Sequence, residues 1–323
     1  MADSTKPLVE DFEPTPEMLA QLDQFTKTAA TLPKPLKLPK KALSATQIEM
    51  YLRCPRQYYF RYIKGEIRPP GVALTLGKST HEALETTHNA IVDTGVPASE
   101  PMVTAAFSDA FDHAVPDVPK EEWEKDDSTP GEVKDAGLAL VRLYNAKFAP
   151  LVKPQVTQTQ KGEQIRGIEK EFGILIAGVP VIGFIDLIDT NDPTIVASPS
   201  EVVIMRQKGA TIPEAMRTVI VDFKTKAKSF AQGDVDGSLQ LTLYSYAEKI
   251  PAVRFDQLLR QKTPTIKRIS ALRKDTDYRW LEEIVRGVAE AISMGAFPPC
   301  DPSAWVCSEK WCGFWRLCRG RKR

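Results

Sequence analysis

Residues 217–226 read RTVIVDFKTK, and the rest of the chain is organised around that stretch. Val219, Ile220 and Val221 form a β-branched run, nearly all apolar, which is the pattern of a central strand covered on both faces. The run leads into Asp222 and Lys224. Side chains alternate along a strand, so residues 222 and 224 share a face and set a carboxylate beside an ammonium group. A carboxylate at the end of an apolar strand is costly to bury unless it is paired or bound to metal. Such a pair suits phosphodiester hydrolysis. Carboxylates hold a hard divalent cation through oxygen, the cation activates water, and the lysine orients that water and offsets negative charge.

Working outward, the run from Gln164 to Thr190 alternates and is rich in β-branched residues, with Gly and Pro at turn positions; it predicts hairpin strands. Its GFIDLID segment places Asp186 near the end of a second apolar strand. Residues 201–206 (EVVIMR), 253–261 and 266–272 read as further strands, and 101–113, 131–148 and 276–294 as helices. Residues 76–92, LGKSTHEALETTHNAIV, predict a helix led by Gly77 that carries His81, with Glu85 one turn on. DVDGSLQLTLYSYAEKI reads as the helix after the central strand. It sets Gln240 and Tyr244 four residues apart on one face. One histidine with two carboxylates suits Mn2+ at least as well as Mg2+.

The two ends of the chain carry the other distinctive feature. Cys54 stands in LRCPRQYYF, and Cys307, Cys312 and Cys318 stand in WVCSEKWCGFWRLC. Five cysteines is an odd number, which argues for thiolate ligands rather than a disulfide framework. Four thiolates suit either a [4Fe–4S] cluster or a tetrahedral Zn2+ site, and spacing alone does not separate the two. Cys300, in FPPCDPS, reads as a turn residue outside the ligand set. Trp305, Trp311, Phe314 and Trp315 are expected to pack around the centre and exclude water. Ser44 and Gln47 form a capping box that opens a helix, Pro55 restarts it, and the aromatic residues of PRQYYFRYI form a buried face.

Composition sets wider bounds. The chain has 323 residues, 42% of them hydrophobic and 26% charged, with a formal net charge of +1. Global charge therefore does not predict nucleic-acid binding, and any basic surface is local, the obvious run being Arg316 to Arg323. Residues 1–40, rich in Pro, Lys and Thr, read as an extended or partly disordered arm with a short helix near Pro16 to Ala30. A polar, acidic N-terminus without a signal peptide and the lack of a long apolar run predict a cytoplasmic protein with no membrane partner. No P-loop pattern is present, since LGKST lacks the upstream glycine.

His81, Asp186 after Gly183, the Asp222-x-Lys224 strand and the Gln240-x-x-x-Tyr244 helix, in that order, resemble the PD-(D/E)XK nuclease superfamily. The similarity is to its RecB-like exonuclease branch and extends from Ser44 to Cys318. The resemblance implies an α/β fold with a restriction-endonuclease-like core, a twisted mixed sheet flanked by helices. An N-terminal helical part and a C-terminal cysteine segment, 297–318, would be joined at a metal cluster, all within one domain over 41–323. It implies Mg2+ or Mn2+ held by His81, Asp186, Asp222 and the peptide carbonyl of Phe223. Lys224 would position water, and Gln240 and Tyr244 would line the path of a single strand. Glu171 resembles a strand glutamate that precedes the first aspartate in the family, and Glu85 a partner of His81.

Some members of that branch, similar to AddB-type helicase–nucleases and CRISPR-associated adaptation nucleases, carry a [4Fe–4S] cluster in the same one-plus-three cysteine arrangement. The resemblance thus implies a metal-dependent DNA exonuclease acting on DNA ends or single-stranded DNA in recombination, repair or phage DNA metabolism; endonuclease activity is compatible with it. A helicase or recombination protein is the kind of partner it admits. A CRISPR-adaptation-type nuclease, and a non-catalytic DNA-binding or assembly factor that keeps fold and cluster, are the alternative readings. The last predicts losses among the acidic residues, and every motif residue is present here.

Overall fold

The computed structural model describes residues 15–21, 37–192 and 217–320. In chain order the first helices are α1 (Ala45–Arg53), α2 (Pro55–Tyr58, continued as a π-turn over Tyr59–Ile63), α3 (Val72–Thr94), α4 (Glu100–Ala114), α5 (Lys120–Asp126) and α6 (Pro130–Lys147). The strands β1 (Val156–Gln158), β2 (Gln164–Arg166), β3 (Ile168–Ile176), β4 (Val179–Asp189) and β5 (Val219–Lys226) follow. Then come α7 (Gln232–Asp236), α8 (Leu239–Glu248), β6 (Ala252–Leu259), β7 (Thr265–Leu272), α9 (Asp275–Ser293) and α10 (Trp315–Cys318). No helix among the described residues is long and apolar enough to cross a membrane.

The main sheet has the order β3-β4-β5-β6-β7, with β5 in the middle as its apolar run requires. It is mixed: β4 and β5 are antiparallel, β5 and β6 parallel, β6 and β7 antiparallel. The chain divides into two compact units. One comprises residues 69–170 and 184–274; the other comprises 1–68, 171–183 and 275–323.

In the first unit α3 packs on the β5 face that carries Val219, Val221 and Phe223, through Leu84. The other side of α3 joins a second core with Val103, Phe107, Phe111 and Val133 from the helices beside it. Gly137 in α6 exists for that packing, not for its backbone. A Cβ there would meet the ring of buried Phe107 and lie 2.9 Å from Leu76 Cδ1. Gly137→Ala is therefore expected to destabilise by about 1–3 kcal/mol through overpacking, against the better helix propensity of alanine of roughly 1 kcal/mol. A lower Tm by circular dichroism checks the sign.

In the second unit the Ser44 side chain caps α1 by accepting the Gln47 N–H at 3.3 Å. Pro55 sits at the start of α2. Leu43 bridges to Val181. Tyr51 donates its hydroxyl to the Ala296 carbonyl at 2.5 Å, and Tyr58 stacks on Phe297 with centroids 6.0 Å apart. The front helices and the end of the chain are thus in direct contact within this unit. Of the predicted aromatic face, Tyr58 is fully buried and Tyr59, Phe60 and Tyr62 are half-buried.

Several expected boundaries move. α3 begins at Val72 with Gly71 as its cap, so Gly77 lies inside the helix instead of leading it. The helix expected after the central strand is two helices, α7 and α8, broken at Gly237 and Ser238, whose hydroxyl caps α8. Of the arm, residues 16–21 are helical. The strand expected at 201–206 lies outside the described residues.

Candidate active site and cysteine centre

The paired register of β4 and β5 runs from Asp189↔Val219 to Leu187↔Val221. One step further, at Asp186 and Asp222, side chains take over from the ladder. Asp186 Oδ2 accepts the Phe223 N–H at 2.7 Å, and the Phe223 carbonyl lies 3.2 Å from His81 Nε2. An acid and an imidazole serve the backbone of one residue at the point where β4 stops serving it. His81 reaches there because it shares a stripe of α3 with Leu84 and His88, the residues of that helix that face Phe223. His88 is buried, stacks on the Phe223 ring and contacts the Tyr144 hydroxyl at 2.9 Å. Burial, with Arg268 and Arg254 nearby, pushes its pKa down to about 3, so it is a neutral core histidine.

One ligand atom each from His81, Glu169 and Asp186 lies within 4.8 Å of the others. His81 Nδ1 is 3.5 Å from Glu169 and 3.8 Å from Asp186. Glu169 stands near the start of β3 with φ +44°, a left-handed conformation that residues with a Cβ seldom adopt and that tends to mark functional sites. Glu171, the strand glutamate singled out by resemblance, instead accepts a hydrogen bond from Thr15 at 2.7 Å. The sequence pattern misplaced the glutamate by one alternation, because the turn in the backbone at residue 169 does not show in the residue type.

Asp222 is 1% exposed, and Lys224 Nζ lies 2.8 Å from its Oδ2. Lys224 donates to Gln240 Oε1 at 2.9 Å, and Gln240 donates to the Tyr244 hydroxyl at 2.7 Å. The four residues form one line across β5 and α8. Gln240 and Tyr244 are accordingly placed behind the lysine, where Gln240 holds the ammonium group in position. Burial, reinforced by Asp222 and Asp186, raises the Tyr244 pKa well above 10, so its hydroxyl keeps its proton.

The electrostatics fit a cation. Burial opposes a charge on His81, but Asp186, Glu169 and Asp222 outweigh it and push its pKa up to about 10. Burial raises Asp222 to about 6, with Lys224 opposing and Asp186 reinforcing the shift. Both Asp222 carboxylate oxygens are buried and make no aligned hydrogen bond; the Lys224 contact is an ion pair by distance only. A buried, under-satisfied carboxylate beside an oxygen-rich triad is a donor set that suits a hard divalent ion. Glu169 and Asp186 both orient His81, so Glu169→Ala is expected to weaken Mn2+ binding about 10- to 100-fold. Isothermal titration calorimetry on the full chain reads that loss.

All five cysteines are free thiols. Cys54, Cys300, Cys307, Cys312 and Cys318 line a single cavity. Three N–H donors point at sulfur: Cys300 N at Cys54 (3.4 Å), Gln57 Nε2 at Cys312 (3.3 Å) and Arg319 Nη2 at Cys307 (3.7 Å). Such donors favour the thiolate form. Cys300, expected outside the set, touches it. Burial and its neighbours Cys54 and Cys307 push the Cys300 pKa up to about 12, and burial raises that of Cys318 as well. The aromatic shell departs from expectation. Phe314 is buried and Trp315 lines the cavity, but Trp305 and Trp311 are 70% and 61% exposed and do not exclude water from it.

A crystal structure of a candidate exonuclease from Eubacterium rectale matches with a TM-score of 0.47 at 10% identity, covering 83% of this chain and 87% of that one. The structure of SSO0001 matches with a TM-score of 0.37 at 12% identity, covering 96% and 98%. No curated protein matches the sequence. The profile of the PD-(D/E)XK nuclease superfamily matches residues 42–197 and 212–319, spanning α3, the β4–β5 carboxylates and the cysteine segment. This chain belongs to the PD-(D/E)XK nuclease superfamily.

Proposed function

We propose that the chain is a divalent-metal-dependent deoxyribonuclease that degrades DNA from ends or along single strands, and that its four-cysteine centre holds a [4Fe–4S] cluster. The observation that carries the catalytic reading is the buried Asp222 carboxylate, which lacks aligned hydrogen bonds and lies beside Lys224. His81, Asp186, Asp222 and the Phe223 carbonyl are the groups that would hold Mg2+ or Mn2+, with Glu169 bracing His81. The bound ion would polarise the scissile phosphate and make water nucleophilic at neutral pH. The chain itself supplies the rest. Lys224, fixed between Asp222 and Gln240, keeps a positive charge where negative charge builds up on the phosphate oxygens. Tyr244 and Gln240 hold that ammonium group in register, and Asp186 keeps Phe223 in place.

Support for the cluster is the meeting of Cys54, Cys307, Cys312 and Cys318 at one cavity with N–H groups aimed at three of its sulfurs. Zn2+ at the same thiolates is the competing occupant. A role in recombination, repair or phage DNA metabolism, alongside a helicase or recombinase, follows from the same family reading. Anaerobic purification followed by digestion of end-labelled single- and double-stranded DNA with Mg2+ or Mn2+ tests both parts. Expected are a brown protein and progressive loss of the labelled ends. A colourless preparation would remove the iron reading, and intact DNA would remove the nuclease.

A further inference from the structure

We propose that a cleft within the cysteine-bearing unit, separate from the acidic site, binds single-stranded nucleic acid, with arginines on phosphates and indoles on bases. The proposal rests on the nuclease reading for the identity of the polymer. The cleft has a volume of about 290 Å3 and is walled by Arg53, Arg61, Arg68, Trp305, Trp311 and Phe314. That is near the lower end of the range of small-ligand pockets, about 300–1,000 Å3. No carboxylate is among the described residues that line it.

Two features show that the cleft is built for an anion with flat faces. Arg68 lies between an aromatic ring and a glycine. Its guanidinium carbon lies 4.5 Å over the Phe314 ring. A Cβ on Gly313 would come within 2.6 Å of Arg68 Cδ and Nη1, so only glycine lets the guanidinium lie against the backbone there. A planar guanidinium in this position offers a fork of donors that suits phosphate oxygens. Trp305 and Trp311 stand at the rim, edge to face with centroids 6.1 Å apart, largely in water. Two large indoles left in water beside the exposed Arg53 and Arg68 are poor fillers for a core. They match the stacking surface on which single-stranded bases lie without regard to sequence.

The cleft also shares a wall with the cysteine cavity. Gln57, which donates to Cys312 Sγ, and Phe314 line both. An intact cysteine centre therefore shapes the cleft that a strand would occupy.

The test uses full-length protein carrying Lys224→Ala, so that the oligonucleotide survives, with a fluorescein-labelled oligothymidylate as the probe. Binding is expected to quench tryptophan fluorescence. Adding Trp305→Ala with Trp311→Ala is expected to weaken Kd about tenfold or more, from the loss of base stacking. Arg53→Ala, at an exposed position, is expected to lower the slope of log Kd against log salt by about 0.7. Unchanged metal content and Tm in these variants exclude misfolding. In otherwise wild-type protein that keeps Lys224, the tryptophan pair should leave hydrolysis of bis(p-nitrophenyl) phosphate unaltered, because that substrate is too small to need the cleft. Unchanged oligothymidylate affinity, or a protein partner that occupies the tryptophans in its place, would overturn the cleft assignment while leaving the nuclease reading standing. A wild-type protein that hydrolyses neither substrate would defeat the nuclease reading, and the binding data would still judge the cleft.

Discussion

Asp222→Asn is expected to abolish DNA hydrolysis, lowering kcat by about a thousandfold or more, while the metal-free protein becomes more stable. The two effects share one cause. In the fold Asp222 titrates near 6, against an ordinary value of 3.8, because burial disfavours its charge. A folded-state acid pKa above the unfolded one costs stability as pH rises from about 4 through 6, and the penalty is complete at neutral pH. The gap corresponds to about 3 kcal/mol. An amide of the same shape removes the charge and with it the penalty, a trade between activity and stability common at active sites. Denaturant titration of the metal-free protein at pH 7 should give a higher midpoint for the variant, and the difference should shrink at pH 4. Unchanged degradation of end-labelled DNA would remove Asp222 from the catalytic set. Lys224→Ala should be similarly inactive, with much less change in stability, because the lysine is partly exposed.

Cys312→Ser is expected to strip the cysteine centre and unfold the unit that contains it. A structural metal held by thiolates contributes on the order of 10 kcal/mol to folding, comparable to the whole stability of a typical domain, roughly 5–15 kcal/mol. Loss of one thiolate in four therefore suffices. Cys312 is buried and receives the Gln57 amide. Serine would leave that amide without its sulfur acceptor. Iron analysis, visible absorbance and the soluble fraction report the outcome, with released zinc measured in parallel. Cys300→Ser is the control. It lies outside the one-plus-three ligand set of the proposed centre, so the variant should keep whatever metal that centre holds; metal lost from it as well would bring Cys300 into the ligand set. A soluble, fully loaded Cys312→Ser protein would remove Cys312 from the ligand set.

The central strand, its flanking helices and the order of the motifs were legible because apolar periodicity and residue type carry them. Val219 to Lys224 could only be a covered strand ending in charge, and α4, α6 and α9 fall within a residue or two of their periodic runs. Residue type and strand pattern also led to Asp186, Asp222 and Lys224, and the family resemblance to His81. What it could not carry was backbone conformation and exposure. Glu169 enters the site through a positive φ, and nothing in the residue type distinguishes it from Glu171. Gln240 and Tyr244 were visible as a helical pair, but only the coordinates direct them to Lys224. Trp305 and Trp311 read as packing because indoles usually are; their exposure depends on which side of the cysteine segment faces water. The break between α7 and α8 was written in Gly237 and Ser238 and was overlooked because the flanking residues continue the helical pattern.

The contacts of Tyr51 and Tyr58 with Ala296 and Phe297 have a consequence for biosynthesis. The hydroxyl of Tyr51 must wait for an acceptor 245 positions later in the chain. On the ribosome, therefore, the front helices emerge with these contacts unmade and stay so until Ala296 and Phe297 follow. A chain that stopped before Ala296 would carry every proposed hydrolytic side chain and no closure for its front helices. Such a product is a natural target for chaperones and proteases.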